Sequence, residues 1–168
     1  MDIADLRVAL FSGNYNYVRD GANQALNRLA DYLLRQGASL RVYAPKVECP
    51  DFPATGDLVG VPAVPIPFRR ECRFPLGLWR AAREDLAAFR PNVIHVSSPD
   101  PTAHAALRWA EERDLPVLAS VHTRFDTYPR YYGLAFAEPW LVRMMRRFYH
   151  RCDALVAPSE SMVDVLRA

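Results

Sequence analysis

Between Val117 and Tyr132 an apolar run gives way to a loop dense in groups that can do chemistry: His122, Thr123, Arg124, Asp126, Tyr128, Arg130, Tyr131 and Tyr132. So many polar and aromatic side chains cannot all be buried without partners. The run before them, Val117 to Val121, has the apolar, β-branched character of a strand covered on both faces. A loop leaving the carboxyl end of such a strand is where ligands bind in an open α/β sheet. An imidazole there, at His122, can donate a hydrogen bond to a reacting group or stabilise developing charge. His95 is the opposite case: it lies between Ile94 and Val96 inside an apolar run and reads as a core residue with one hydrogen bond.

A second candidate is Gly21, which follows the polar loop Ser12 to Asp20 and opens a helix. Free backbone N–H groups and the positive end of a helix dipole can receive a phosphate, and a residue without a side chain lets it come close. The plainer alternative is that Asp20 caps the helix and Gly21 relieves crowding. Neither Gly-x-Gly-x-x-Gly nor Gly-x-x-x-x-Gly-Lys occurs, which argues against a tightly held dinucleotide and an ATP-hydrolysing loop. No spacing of histidines and acids suits a metal, and none is expected. Cys49, Cys72 and Cys152 are an odd, widely spaced set and read as reduced thiols.

These groups need a scaffold, and the chain supplies alternating elements. Strands are expected at Leu6 to Phe11, Ser39 to Tyr43, Val93 to Val96, Val117 to Val121 and Ala154 to Ala157. Between them, Ala22, Ala25, Leu26, Leu29 and Leu33 mark the inner face of one helix, with Asn27 outside and Gly37 as its stop. Trp79, Ala82, Leu86 and Phe89 mark a second, and Ala103, Ala106, Leu107 and Ala110 a third, capped from the loop Ser97 to Pro101. A fourth runs from about Trp140 to Arg151, and a last begins at Ser159. The proline-rich stretch Pro45 to Pro75 excludes helix and reads as an irregular excursion around one strand near Val59 to Ile66. Such alternation predicts a Rossmann-like, doubly wound, mainly parallel α/β sheet in a single domain over 1–168, with the loops after Phe11, Val96 and Val121 on one rim.

Bulk properties narrow the function. The formal net charge is +2, too small to suggest nucleic acid, and Lys46 is the single lysine. No apolar stretch is long enough to cross a bilayer, and the acidic start does not resemble a signal peptide, so a cytoplasmic setting is expected. In the fourth helix Leu141, Met144, Met145 and Phe148 oppose Arg143, Arg146, Arg147 and Arg151. A solvated outer face is the preferred reading of those arginines, and contact with anionic lipid the other.

Four stretches carry a family resemblance: Tyr17 to Gln24, Pro91 to Pro99, Ser120 to Thr123 with Tyr128 to Tyr131, and Arg151 to Ser159. Together they resemble the amino-terminal half of a GT-B glycosyltransferase of the retaining family 4, in the lipid-directed branch of sulfoquinovosyl and mannosyl transferases. The resemblance implies that Gly21 and Ala22 approach the donor diphosphate and that His122 stands beside the transferring sugar. It implies acceptor-facing roles for Asn23, Arg124, Asp126, Tyr128, Arg130 and Tyr131, and no cofactor or required metal. The implied partners are a nucleotide-sugar donor, a lipid or glycan acceptor and a carboxy-terminal donor-binding domain absent from this chain, without which the fragment is expected to be inactive. Many relatives have two adjacent glycines where this chain has Asp20-Gly21, and a carboxylate there repels a diphosphate unless it turns away. The other classes weighed are a non-catalytic Rossmann-type nucleotide or sugar-binding module and part of a nucleotide-sugar epimerase.

Overall fold

The computed structural model describes residues 2–66, 69–122, 136 and 138–167, without the side chains of 69–71 and 165. Six strands, β1 (Arg7–Phe11), β2 (Ser39–Ala44), β3 (Asp57–Gly60), β6 (Val93–Val96), β7 (Val117–Ser120) and β8 (Ala154–Val156), form one sheet in the order β3-β2-β1-β6-β7-β8. Every pairing in it is parallel. The helices between them are α1 (Gly21–Arg35), α2 (Arg80–Phe89), α3 (Pro101–Glu111), α4 (Glu138–Tyr149) and α5 (Glu160–Arg167). The chain winds outward from β1 through α1 to β2, then crosses back so that β6 pairs with the other side of β1. Strand order therefore reverses between β1 and β6, and the crevice beyond their carboxyl ends is the switch point of the doubly wound, Rossmann-like sheet.

Alternation along the strands sends side chains to two cores. Val8 and Leu10 of β1 join Leu40, Val42 and Ala44 of β2 beneath Leu26 and Ala30 of α1. Ala9 and Phe11, with Ile94, Val96, Val117 and Ala119, pack against Leu86 and Phe89 of α2, Ala103, Ala106, Leu107 and Ala110 of α3, and Met145 and Phe148 of α4. Asp20 caps α1, and Asp100 caps α3 with Pro101 in its first turn. Gly37, at φ +88°, closes the end of α1 in the left-handed region that glycine enters freely.

Three expectations are corrected. The segment before α2 holds three strands: β3 adds to the sheet edge, while β4 (Ala63–Ile66) and β5 (Arg69–Pro75) form a separate antiparallel hairpin. Its prolines are tolerated because Pro65 adjoins a register shift and Pro75 ends the ladder, where a missing N–H costs little. On α1 the buried positions are Asn23, Leu26, Asn27 and Ala30, and Leu29 and Ala25 are exposed. Asn27 is admitted because its amide is satisfied: it donates to Tyr15 O and Asn23 O, both at 2.9 Å, and accepts from Thr55 N–H at 3.0 Å. Trp79 is exposed although its spacing matches Ala82, Leu86 and Phe89, since it is the N-cap residue of α2 and its extended backbone does not carry the helix's side-chain direction.

On α4 the sequence pattern holds. Met145, Phe148 and Tyr149 are buried, Leu141 and Met144 are half-buried, and Arg143, Arg146 and Arg147 are exposed. Just beyond the helix, Arg151 grips Glu111 with two hydrogen bonds of 2.7 and 2.9 Å. No helix among the described residues is long and apolar enough to cross a membrane.

Candidate active site

The register Phe11↔Val96 and Val96↔Ala119 brings the ends of β1, β6 and β7 level, so their loops leave from one rim. Tertiary hydrogen bonds then lock the loop after β1. Ser97 N–H donates to Phe11 O at 3.0 Å, and Gly13 N–H to Ser98 Oγ at 3.0 Å. The Ser98 hydroxyl donates in turn to Asp100 at 2.6 Å. Asp100 accepts from Thr102 N–H and Ala103 N–H as the cap of α3, and burial pushes its carboxyl above the usual range. Position 13 must be glycine for this contact, because a Cβ there would lie 2.9 Å from Asp100 Oδ2 and 3.1 Å from Ser98 Oγ. Tyr17 donates to Gly13 O and accepts from Arg73 N–H at 3.2 Å, fastening the hairpin to the same loop.

The loop delivers the chain to Asp20 and Gly21. Asp20 Oδ1 accepts from Asn23 N–H at 2.8 Å, and its Oδ2 accepts from the Asn23 amide at 3.1 Å. The carboxylate is thus turned onto its own helix, as a diphosphate approaching Gly21 would require. Nothing lies within 4 Å of where a Gly21 Cβ would be, so the space over the helix start is open. Gly21 and Ala22 contribute first-turn N–H groups, which a helix leaves without intrahelical acceptors. Asn23 is 3% exposed, and its amide is taken up by Val18 O at 2.8 Å and by Asp20, so the structure shows it as a brace for the loop.

His122 stands half-buried, two residues beyond the end of β7. Burial lowers its pKa from the ordinary histidine value, and the Asp20 carboxylate opposes that shift. His122 and Asp20 at the start of α1, 102 positions apart in the sequence, therefore share one electrostatic neighbourhood.

His95 lies on β6 with 2% of its surface exposed, and its Nε2 sits 2.5 Å from Ser120 Oγ on β7. Burial, and secondarily the charge on His122, hold its pKa down at about 4. The sign follows from linkage: the folded state favours neutral His95, so this contribution is full above about pH 6.5 and is lost as pH falls toward 4. Its size is on the order of 3 kcal/mol. Unfolding free energy measured by urea titration is expected to drop between pH 6.5 and 4.5, and His95→Gln to make that drop shallower. His122 and His104, also lowered by burial, add to the slope, and Asp100, raised by burial, opposes it.

Arg124, Asp126, Tyr128, Arg130 and Tyr131 lie outside the described residues. Among the described residues no group of three or more His, Cys, Asp or Glu side chains is placed to hold a metal ion. The cap at Asp100 was readable from Asp-Pro, but its tie through Ser98 to Gly13 was missed, as was the bond from His95 to Ser120. Both join positions far apart in sequence and carry no local signal.

The model of glycosyltransferase family 4 matches residues 19–168. The chain is 30% identical to a sulfoquinovosyl transferase of Arabidopsis thaliana, over 93% of this chain and 31% of that protein. It is 28% identical to a GDP-mannose-dependent alpha-mannosyltransferase of Mycolicibacterium smegmatis, over 97% and 44% respectively. It is 22% identical to an alpha-monoglucosyldiacylglycerol synthase of Streptococcus pneumoniae, over 96% and 37%. The chain thus spans less than half the length of these relatives. With a six-stranded parallel sheet whose switch-point rim carries Gly21 and His122, and with a family match over nearly all its length, the chain belongs to glycosyltransferase family 4.

Proposed function

We propose that the chain is the acceptor-side half of a retaining glycosyltransferase that moves a sugar from a nucleotide-sugar donor to a lipid or glycan acceptor. The observation that carries this reading is that the open helix start at Gly21 and the residue His122 lie on one rim of the sheet, with the Asp20 carboxylate near enough to act on the imidazole. The Gly21 and Ala22 amides would receive the donor diphosphate as its negative charge grows, and His122 would donate to the transferring sugar. Electrostatic stabilisation of the leaving diphosphate by amides and basic groups gives no required role to a metal in this reading.

The relatives' greater length supports a second, donor-binding half outside this chain. Closure of two halves would align donor and acceptor and exclude water, so this chain alone is proposed to be inactive. Arg124, Asp126, Tyr128, Arg130 and Tyr131 keep their proposed acceptor-side roles on the family resemblance, and Asn23 contributes through the loop it braces. A cytoplasmic enzyme working at the inner membrane face fits the lipid named in one relative and the exposed Arg143, Arg146 and Arg147.

The test is a transfer assay on a full-length protein containing this chain, with nucleotide-sugars offered against diacylglycerol and glycolipid acceptors. The expected product keeps the donor's anomeric configuration, read from its proton coupling constant. An inverted product would reject the retaining mechanism, and absence of transfer from every donor would reject the activity.

A further inference from the structure

Two buried polar residues stand behind the candidate catalytic histidine with no part assigned to them. His95 and Ser120, at 2% and 3% exposure, are joined by a 2.5 Å hydrogen bond across the neighbouring strands β6 and β7. Ser120 is the last residue of β7, and His122 follows two positions later. Between them, Val121 N–H donates to Val156 O of β8 at 2.8 Å. The backbone from which His122 departs is thus held on both flanks, by a side chain of β6 and by a carbonyl of β8.

We infer that His95 is a positioning residue for His122, acting through the Ser120 hydroxyl to fix the end of β7. This rests on the proposed catalytic role of His122. Breaking the bond strands a buried polar group, a penalty that a four-residue strand can relieve by shifting its carboxyl end. Displacement of a catalytic group by about 1 Å can cost up to about a hundredfold in rate. Burial keeps His95 neutral at working pH, so the bond stays in one protonation state through turnover. A residue that served only to fill the core would be replaceable by an apolar side chain of similar size without effect on turnover.

The experiment compares Ser120→Ala, His95→Leu, His95→Gln and His122→Ala in the full-length protein. Ser120→Ala and His95→Leu are expected to lower kcat about tenfold or more with KM changed less than about twofold. His95→Gln, which keeps a polar group facing Ser120, is expected to hold kcat within about threefold of wild type. Ser120→Ala removes a single oxygen, and its thermal melting curve verifies that the fold persists if His95→Leu fails to fold. Unchanged kcat in Ser120→Ala while His122→Ala is impaired would overturn the positioning role and leave the catalytic reading standing. Unchanged kcat in His122→Ala would overturn that reading, and the positioning role with it.

Discussion

Replacing His122 with alanine in the full-length protein is expected to lower kcat at least about tenfold while the domain stays folded. First, the side chain is half-buried just beyond β7 and belongs to neither hydrophobic core, so its removal leaves strand pairing and helix packing in place. Second, a donor aimed at developing charge in a water-poor site contributes mostly in the transition state, and losing one costs about a hundredfold or more in well-studied cases. Tenfold corresponds to about 1.4 kcal/mol, a conservative floor for a group with one assigned hydrogen bond. Steady-state kinetics with a circular-dichroism check of the fold decides it, and wild-type turnover in the variant would remove His122 from the reaction.

Phe148→Ala is expected to destabilise the chain by about 3–5 kcal/mol. Phe148 is 1% exposed at the heart of the core shared by α2, α3, α4 and the sheet. Its ring meets His104 of α3 edge-on at 4.7 Å and Tyr149 at 5.3 Å, so the substitution removes both buried area and two oriented ring contacts. The surrounding residues come from rigid elements and can close the space only partly. Trp140 on the same helix is 67% exposed, and Trp140→Ala is expected to cost less than about 1 kcal/mol despite its larger side chain. Urea unfolding of the two variants measures the contrast, and equal losses would contradict the described seating of α4.

Much of this architecture could be read from local pattern. Apolar runs bounded by turns located the five strands from Leu6 to Ala157, Asp100-Pro101 announced the start of α3, and Gly37 the end of α1. His95 was legible as a buried residue with one hydrogen bond because it is flanked by Ile94 and Val96. What escaped depends on tertiary partners. Asn27 looks like a surface residue until Tyr15 O and Thr55 N–H are brought to it. The β4 and β5 strands are masked by prolines, tolerated because Pro65 adjoins a register shift and Pro75 ends the ladder. Gly13 carries no sign that Ser98 and Asp100, 85 and 87 positions further on, will press against it. In the site, the nearness of Gly21 and His122 followed from the fold class alone, whereas the turn of Asp20 onto Asn23 needed the geometry of the loop.

The claim on which the functional account rests is that the start of α1 and His122 form one site. Titration of the His122 ring protons by NMR, in the wild-type chain and in Asp20→Asn, tests it most directly. Asparagine caps helices as well as aspartate does, so the substitution removes the charge and keeps the helix start. The wild-type His122 is expected to titrate below the ordinary histidine value, and Asp20→Asn to lower it further, because the carboxylate that favours its protonated form is gone. Identical titration curves in the two proteins would show that Asp20 and His122 do not face each other, and would contradict the single rim.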